Sequence, residues 1–120
     1  MKTIMIVDDR PDDLQSMYMI LTREGYEIVT ANGGEEALEK ISTASIDLII
    51  IDIMMPNLSG LDLLRLLRER LNHNIPVVLV SIKPEKEVDM SVVNGFVQKP
   101  FSPQILVDTI SKTLKDFNMA

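Results

Sequence analysis

The stretch Asp47-Leu48-Ile49-Ile50-Ile51-Asp52 holds an unbroken run of branched aliphatic residues between two acids. Such a run is typical of a central strand covered on both faces, because a strand with one exposed face alternates apolar and polar residues. Sheets covered on both faces are mostly parallel sheets whose strands are joined by helices. The run therefore predicts an α/β protein built around a parallel sheet.

Similar short apolar runs lie on either side of this segment, and amphipathic stretches separate them. The other predicted strands are Thr3–Val7, Glu27–Ala31, Pro76–Ser81 and Gly95–Gln98. The predicted helices are Pro11–Glu24, Glu35–Ser42, Ser59–Leu71 and a last helix that begins at Ser102 and Pro103. Repeated strand–helix pairs predict a doubly wound sheet of five parallel strands with helices on both faces, and we expect the strand order 2-1-3-4-5.

The segment between Ser81 and Gly95 departs from this alternation. It carries one weak helix signal, in which Pro84 opens a helix and Glu85 lies in the first turn, where the helix dipole favours acids. No more than about two helical turns fit before Gly95. We therefore expect a shortened or irregular fourth helix.

The composition limits the classes of function. The 120 residues include 12 Lys and Arg against 18 Asp and Glu, no cysteine, and a net charge of −6. This length fits a single domain over residues 1–120. The acidity argues against direct binding of nucleic acid, and the lack of cysteine excludes disulfides and thiolate metal sites. No apolar stretch approaches the roughly 18 residues of a membrane span, so we expect no membrane contact. The lack of cysteine fits the reducing cytoplasm, where we expect the domain to be located.

Polar side chains follow four of the predicted strands where each strand ends. Asp8 and Asp9 follow the first strand, and Asp52 ends the third. In the order 2-1-3-4-5 these strands are neighbours, so we expect the three carboxylates in one cleft, with Ser81 and Lys99 on its far side. Crowded carboxylates repel one another, and a hard cation such as Mg²⁺ relieves the repulsion. The set of groups suits the transfer of a phosphoryl group onto a carboxylate.

Several segments at these strand ends resemble the receiver domain of bacterial and archaeal two-component response regulators. They are Ile6-Val7-Asp8-Asp9, the stretch from Asp52 to Gly60, Val80-Ser81 and the stretch from Gly95 to Phe101. The resemblance implies a flavodoxin-like receiver fold and Mg²⁺ as the cofactor. It implies a signalling domain rather than an enzyme, with a sensor histidine kinase or a phosphotransfer protein as its phosphodonor. It leaves the downstream protein target open and is compatible with a homodimer.

The resemblance also implies roles for the matching residues. Asp52 resembles the phosphoacceptor, and Lys99 resembles the lysine that pairs with the phosphoryl group. Asp8 and Asp9 resemble the acids that hold Mg²⁺, together with Asp52 and the backbone carbonyl of Met54.

Further positions match the switch and the loops of the family. Ser81 and Phe96 resemble the pair in which the hydroxyl turns toward the phosphoryl group and the ring moves inward. Pro56 and Gly60 resemble the loop after the acceptor. Pro100 follows a bond that is often cis in receivers.

Three residues next to the expected site bear on its accessibility and on the lifetime of the phosphoform. Ile82 stands where the family usually has a small residue, so we expect slow phosphorylation by small phosphodonors. Met54 cannot orient an attacking water molecule by hydrogen bonding, so we expect slow autodephosphorylation. Lys83 is a third candidate for either effect.

The first predicted helix carries both an apolar face and acids. Its predicted apolar face consists of Leu14, Met17, Tyr18 and Leu21. Asp12 and Asp13 lie in its first turn, where acids favour the helix dipole. The resemblance makes the exposed residues of this helix candidates for docking a kinase.

Three alternatives to a phosphorylated receiver remain. A degenerate receiver would act as an interaction module without phosphorylation, and Ile82 and the shortened fourth helix keep this alternative open. A haloacid-dehalogenase-like phosphohydrolase needs a second Asp two residues after its nucleophile, where this chain has Met54. A flavodoxin-like electron carrier needs a phosphate-binding loop after the first strand, where this chain has the acids Asp8 and Asp9.

Overall fold

The computed structural model describes residues 1–70 and 75–119, which form a five-stranded sheet with four α-helices. The strands are β1 (Thr3–Val7), β2 (Glu27–Ala31), β3 (Leu48–Asp52), β4 (Val77–Ser81) and β5 (Gly95–Gln98). The helices are α1 (Pro11–Arg23), α2 (Gly34–Ile41), α3 (Gly60–Arg70) and α4 (Pro103–Met119). All strand pairs are parallel and the order is β2-β1-β3-β4-β5, which confirms the predicted topology. The predicted end of the third helix at Leu71 lies outside the described residues.

The central strand β3 pairs with β1 on one side and with β4 on the other. All of its residues are buried. Ile49 and Ile51 belong to the core layer on one face of the sheet, and Ile50 belongs to the layer on the opposite face. Because both faces lie under helices, no position of this strand favours a polar residue until Asp52 at its end.

The helices cover the sheet in pairs. Helices α2 and α3 pack over Ile49 and Ile51, whereas α1 and α4 pack over Ile50. The residues of α1 and α4 that are buried in this second layer are Met17, Leu21, Leu106, Ile110 and Leu114. No helix in residues 1–70 and 75–119 combines the length and the apolar character that crossing a membrane requires.

Tyr18 is exposed, so its predicted place on the buried face of α1 is wrong. Met17 and Leu21 are four residues apart and therefore lie almost in line along the helix. Position 18 is turned by about 100° from position 17, which carries its side chain beyond the edge of the contact with the sheet.

Serine side chains cap the N-termini of two helices, and both serines stand where the sequence predicted a helix to begin. Ser59 Oγ accepts a hydrogen bond from the backbone N–H of Asp62 at 3.2 Å, at the start of α3. Ser102 Oγ accepts one from the N–H of Ile105 at 3.2 Å, at the start of α4. Each bond satisfies one of the N–H groups that the first turn of a helix leaves without an intrahelical partner.

The connection between β4 and β5, residues 82–94, contains two short 3₁₀ turns in place of an α-helix. The turns are Glu85–Glu87 and Met90–Val92. Val88 between them is extended, with φ −119° and ψ 136°, and Asp89 Oδ1 begins the second turn by accepting a hydrogen bond from the N–H of Ser91. Val88 and Val93 pack against the core layer beneath α2 and α3. The prediction of an irregular fourth helix is therefore confirmed, and two valines cover this part of the sheet.

The loop between β3 and α3 returns closely against the end of β3. The N–H of Gly60 donates a hydrogen bond to the carbonyl oxygen of Ile53 at 2.9 Å. A β-carbon at position 60 would lie 2.7 Å from Ile53 Cα and would overlap the carbonyl oxygen of Asp52. Asn57 turns the loop with φ 67°, a left-handed conformation that Asn adopts more readily than most residues. Gly60 therefore allows α3 to begin directly beside the end of β3.

We expect Gly60→Ala to lower the free energy of unfolding by about 2–3 kcal/mol, because the added methyl group meets backbone atoms that cannot rotate away. The control is Gly33→Ala, since a β-carbon at position 33 would meet no atom within 4 Å and the backbone there is extended. Urea unfolding of the two variants and the wild type measures the difference. Equal losses of stability would contradict the role of the close approach at Gly60.

Candidate functional site

Three carboxylates meet where β1 and β3 end. Asp8, Asp9 and Asp52 each offer one oxygen, and these oxygens lie within 4.8 Å of one another. The side chains come together because β1 and β3 are neighbours in the sheet. Asp8 is fully buried and Asp52 is 4% exposed. The structure thus brings together the three acids that the sequence placed in one cleft.

Backbone amides orient two of these carboxylates. Asp8 Oδ1 accepts a hydrogen bond from the N–H of Arg10 at 2.9 Å. Asp52 Oδ1 accepts one from the N–H of Met54 at 3.2 Å. In each case the other oxygen, Oδ2, lies toward the ammonium group of Lys99.

The surroundings of Asp52 disfavour its charge. Burial, the nearby charge of Asp8 and contact with that carboxyl raise the pKa of Asp52 to about 6. The charge of Lys99 and the N–H of Met54 act in the opposite direction without cancelling this effect. A cation bound beside the carboxylates would remove much of the repulsion and favour the ionised form of Asp52.

Asp9 carries the clearest sign of a missing partner at this site. Its Oδ1 atom is buried and accepts no hydrogen bond from the residues that the structure describes. Buried carboxylate oxygens without a partner are costly, and a hard divalent cation would satisfy such an oxygen. The three carboxylates therefore fit Mg²⁺, which prefers oxygen ligands and accepts a site with few carboxylates.

Lys99 enters the cluster from the end of β5 and is shared by three acids. Its Nζ atom lies 2.8 Å from Asp13 Oδ2, 3.0 Å from Asp8 Oδ2 and 3.6 Å from Asp52 Oδ2. Burial by itself lowers the pKa of Lys99, but the hydrogen bonds to Asp13 and Asp8 raise it overall. Lys99 is therefore a permanent cation at neutral pH.

Asp13 is a residue of the site that the sequence pattern did not indicate. Its place in the first turn of α1 predicted only a favourable contact with the helix dipole. The structure adds a hydrogen bond of 2.8 Å to Lys99. The available signal was positional, because the first turn of a helix that follows a strand lies beside the carboxyl end of that strand.

The two residues predicted to form the switch lie on β4 and β5. Ser81 is buried, and its Oγ atom accepts a hydrogen bond from the N–H of Lys83 at 3.0 Å. Ser81 Oγ donates no hydrogen bond to the residues that the structure describes, so its hydroxyl proton is available for another acceptor. Phe96 is half-buried and packs against the core layer beneath α2 and α3. Lys83 contacts the site through its backbone, and its side chain is exposed.

A pocket of about 200 Å³ opens over Asp52. Its other lining residues are Arg10, Met54, Ile82 and Lys99. Ile82 is 62% exposed, and Met54 is also exposed, so two apolar side chains stand at the rim. Arg10 also lines the pocket, which the sequence pattern did not indicate.

Two of the predicted loop residues lie close to the site, since Pro56 lines a second pocket together with Asp9 and Pro100 follows Lys99. The carbonyl oxygen of Pro56 accepts a hydrogen bond from the N–H of Leu58 at 2.8 Å in the loop that follows Asp52. The bond between Lys99 and Pro100 is cis, as the resemblance implied. Gly60 closes the same loop against Ile53, as described above.

Most of the chain is similar in sequence to known proteins. The family model of the response regulator receiver domain matches residues 4–111. Response regulator GtcR of Aneurinibacillus migulanus is 36% identical over 118 residues, which are 95% of this chain and 48% of the relative. The alkaline phosphatase synthesis transcriptional regulatory protein PhoP of Bacillus subtilis is 35% identical over 107 residues, 86% of this chain and 44% of the relative. The chain thus spans about half the length of these curated relatives.

Solved structures share the whole fold. The chemotaxis protein CheY4 of Vibrio cholerae superposes with a TM-score of 0.87 at 31% identity, over 94% of this chain and 98% of the other. Response regulator TrrA of Thermotoga maritima, solved in complex with Mg²⁺-BeF, superposes with a TM-score of 0.85 at 33% identity, over 94% and 99%. Topology, acidic cluster and relatives agree, and the chain belongs to the response regulator receiver domains of two-component systems.

Proposed function

We propose that Asp52 accepts a phosphoryl group from a phosphohistidine of a sensor kinase or a phosphotransfer protein, in a reaction that requires Mg²⁺. The observation that carries the proposal is a buried carboxylate between an acidic cluster and a protonated lysine. The groups that would hold Mg²⁺ are Asp8, Asp9, Asp52 and the carbonyl oxygen of Met54. The complex of TrrA with Mg²⁺-BeF supports this use of the site.

The chemistry requires an ionised carboxylate and a way to stabilise charge on the transferred group. A pKa of about 6 leaves Asp52 mostly ionised at neutral pH. An oxygen of Asp52 attacks phosphorus while the P–N bond to the donor histidine breaks, and the released imidazole takes up a proton. Bound Mg²⁺ supplies charge neutralisation at the phosphoryl oxygens. Lys99 donates hydrogen bonds to the same oxygens, which are strong because both partners are charged.

We infer that Ser81 and Phe96 connect this reaction to the surface. A new dianion at Asp52 attracts hydrogen-bond donors, and the free hydroxyl proton of Ser81 is one of them. Residues 82–94 follow Ser81 directly and contain two short 3₁₀ turns instead of a regular helix. A shift of Ser81 would therefore act on a segment of low local stability. The downstream protein target stays open.

The surroundings of the domain remain predictions. We expect a cytoplasmic location, no direct binding of nucleic acid and a homodimer of the phosphoform. Each of these three properties should be measured with the full natural protein. Two curated relatives are named as transcriptional regulators, and this chain matches about half of each, so a link to DNA would run through other parts of such proteins.

A second candidate function is a phosphorylation-independent interaction module. It is favoured by the exposed side chain of Ile82 at the rim of the pocket and by the irregular segment 82–94. Such a module would keep the fold and the acidic cluster without accepting a phosphoryl group. The presence of both Asp52 and Lys99 in one cluster favours the first candidate.

Phosphorylation is tested by incubating the chain with Mg²⁺ and phosphoramidate and measuring the intact mass. We expect one phosphoryl group per chain, lost in Asp52→Asn and in the presence of EDTA. The control Asp116→Asn removes an exposed carboxylate far along α4 and should be modified like the wild type. No adduct, also with a cognate histidine kinase, would support the interaction module. Release of many phosphates per chain would indicate a phosphohydrolase.

We expect Ile82→Ala to speed phosphorylation by phosphoramidate about threefold or more, because removal of a branched side chain opens the rim over Asp52. Ile105→Ala is the matched control, since Ile105 is an exposed isoleucine on α4 outside the pocket. Initial rates from intact mass give the comparison. An unchanged rate in Ile82→Ala would show that this side chain does not limit access.

We expect Met54→Asn to shorten the lifetime of the phosphoform about threefold or more, because an amide can hold an attacking water molecule and a thioether cannot. Met19→Asn makes the same exchange at an exposed position of α1 and should leave the lifetime unchanged. The half-life is followed after removal of the phosphodonor. Equal half-lives for Met54→Asn and the wild type would contradict the role of Met54.

A further inference from the structure

We infer that Asp13 restrains Lys99 in the unphosphorylated protein and thereby weakens the site's affinity for a phosphoryl group. Asp13 acts through Lys99 and is therefore a positioning residue. Because it concerns how the site receives a phosphoryl group, the inference rests on the proposed function of Asp52.

The contacts of the Lys99 ammonium group carry this inference. Nζ lies at hydrogen-bond distance from Asp13 Oδ2, at 2.8 Å, and from Asp8 Oδ2, at 3.0 Å. The distance from Nζ to Asp52 Oδ2 is 3.6 Å, which is too long for a hydrogen bond. Two of the three donors of the ammonium group are thus directed at acids other than the acceptor.

The partial burial of the pair makes its hydrogen bond difficult to replace by water. The side chain of Lys99 is 10% exposed and that of Asp13 is 34% exposed. Hydrogen bonds between charged partners are about twice as strong as neutral ones, and partial burial reduces their screening by solvent. The pair of Lys99 and Asp13 therefore differs from an exposed ion pair, which contributes little.

The hydrogen bond between Asp13 and Lys99 competes with the contact that Lys99 would make with a phosphoryl group. The pocket over Asp52 is lined by Lys99 but not by Asp13. A phosphoryl group on Asp52 would place its oxygens in that pocket, and the hydrogen bond to Asp13 commits a donor of Lys99 elsewhere. Full contact between Lys99 and the phosphoryl oxygens would require the hydrogen bond to Asp13 to weaken. The free energy lost with that bond reduces the net affinity of the site for a phosphoryl group.

Three exchanges in the first turn of α1 separate a direct contact from a general effect of charge. Asp13→Asn keeps the size of the side chain and removes the charge that binds Lys99. Asp12→Asn removes the same charge from an exposed neighbour that has no hydrogen bond or ion pair with the described residues. Asp13→Glu keeps a carboxylate within reach of Lys99.

The test is calorimetric titration of the wild type and the three variants, first with Mg²⁺ alone and then with beryllofluoride, which mimics a phosphoryl group, at saturating Mg²⁺. We expect Asp13→Asn to bind beryllofluoride about 3–10-fold more tightly than the wild type, as expected for release of one partly buried charged hydrogen bond. Asp12→Asn and Asp13→Glu should stay within about twofold of the wild type, because neither removes the contact with Lys99. The affinity for Mg²⁺ alone should not increase in Asp13→Asn, since this variant loses a negative charge.

The outcomes are distinguishable. General damage to the site by Asp13→Asn would weaken the binding of both Mg²⁺ and beryllofluoride, and this result would overturn the inference. Equal beryllofluoride affinities in Asp13→Asn and Asp12→Asn would also overturn it: at the wild-type value they would show no restraint by Asp13, and at a higher value they would show an effect of net charge alone. Wild-type protein that binds no beryllofluoride in the presence of Mg²⁺ would contradict the proposed function itself, and the restraint with it.

Discussion

The burial of β3 on both faces is the constraint from which the rest of this domain follows. A strand covered by helices on both sides carries only apolar residues until it leaves the core, and Asp52 is the residue at which it does so. The carboxylate of Asp52 therefore lies at the boundary of the core, almost without solvent. This position raises its pKa and makes a nearby cation necessary for a stable ionised form.

The ammonium group of Lys99 is a cation within this cluster, and three carboxylates share its charge. Its ammonium group joins the ends of β1, β3 and β5 and the first turn of α1 through Asp8, Asp52 and Asp13. One charge shared among three carboxylates compensates each of them only in part. Among the described residues Asp9 Oδ1 has no hydrogen-bond partner, and a divalent cation is a ligand that would satisfy this oxygen.

The strands and their ends were predictable because each depends on short-range pattern. The unbroken run in β3, the valines of β4 and the acids after β1 and β3 predicted both the sheet and the three acids of the cleft. Tyr18 was misplaced because periodicity does not give the width of a helix contact, which depends on how closely α1 lies on the sheet. The irregular segment 82–94 was predicted from its missing periodicity, but the place of its second 3₁₀ turn depends on local capping by Asp89.

The sequence by itself determined the parallel sheet and the group of residues at its strand ends, because short apolar runs and the amphipathic stretches between them are local patterns. Only the tertiary structure decided which acids bind Lys99 and that Asp13 and Arg10 border the site. These contacts join residues that are far apart in the chain, such as Asp13 and Lys99. Their distances depend on the packing of α1 and of the loop after β5, which no local pattern of residues encodes.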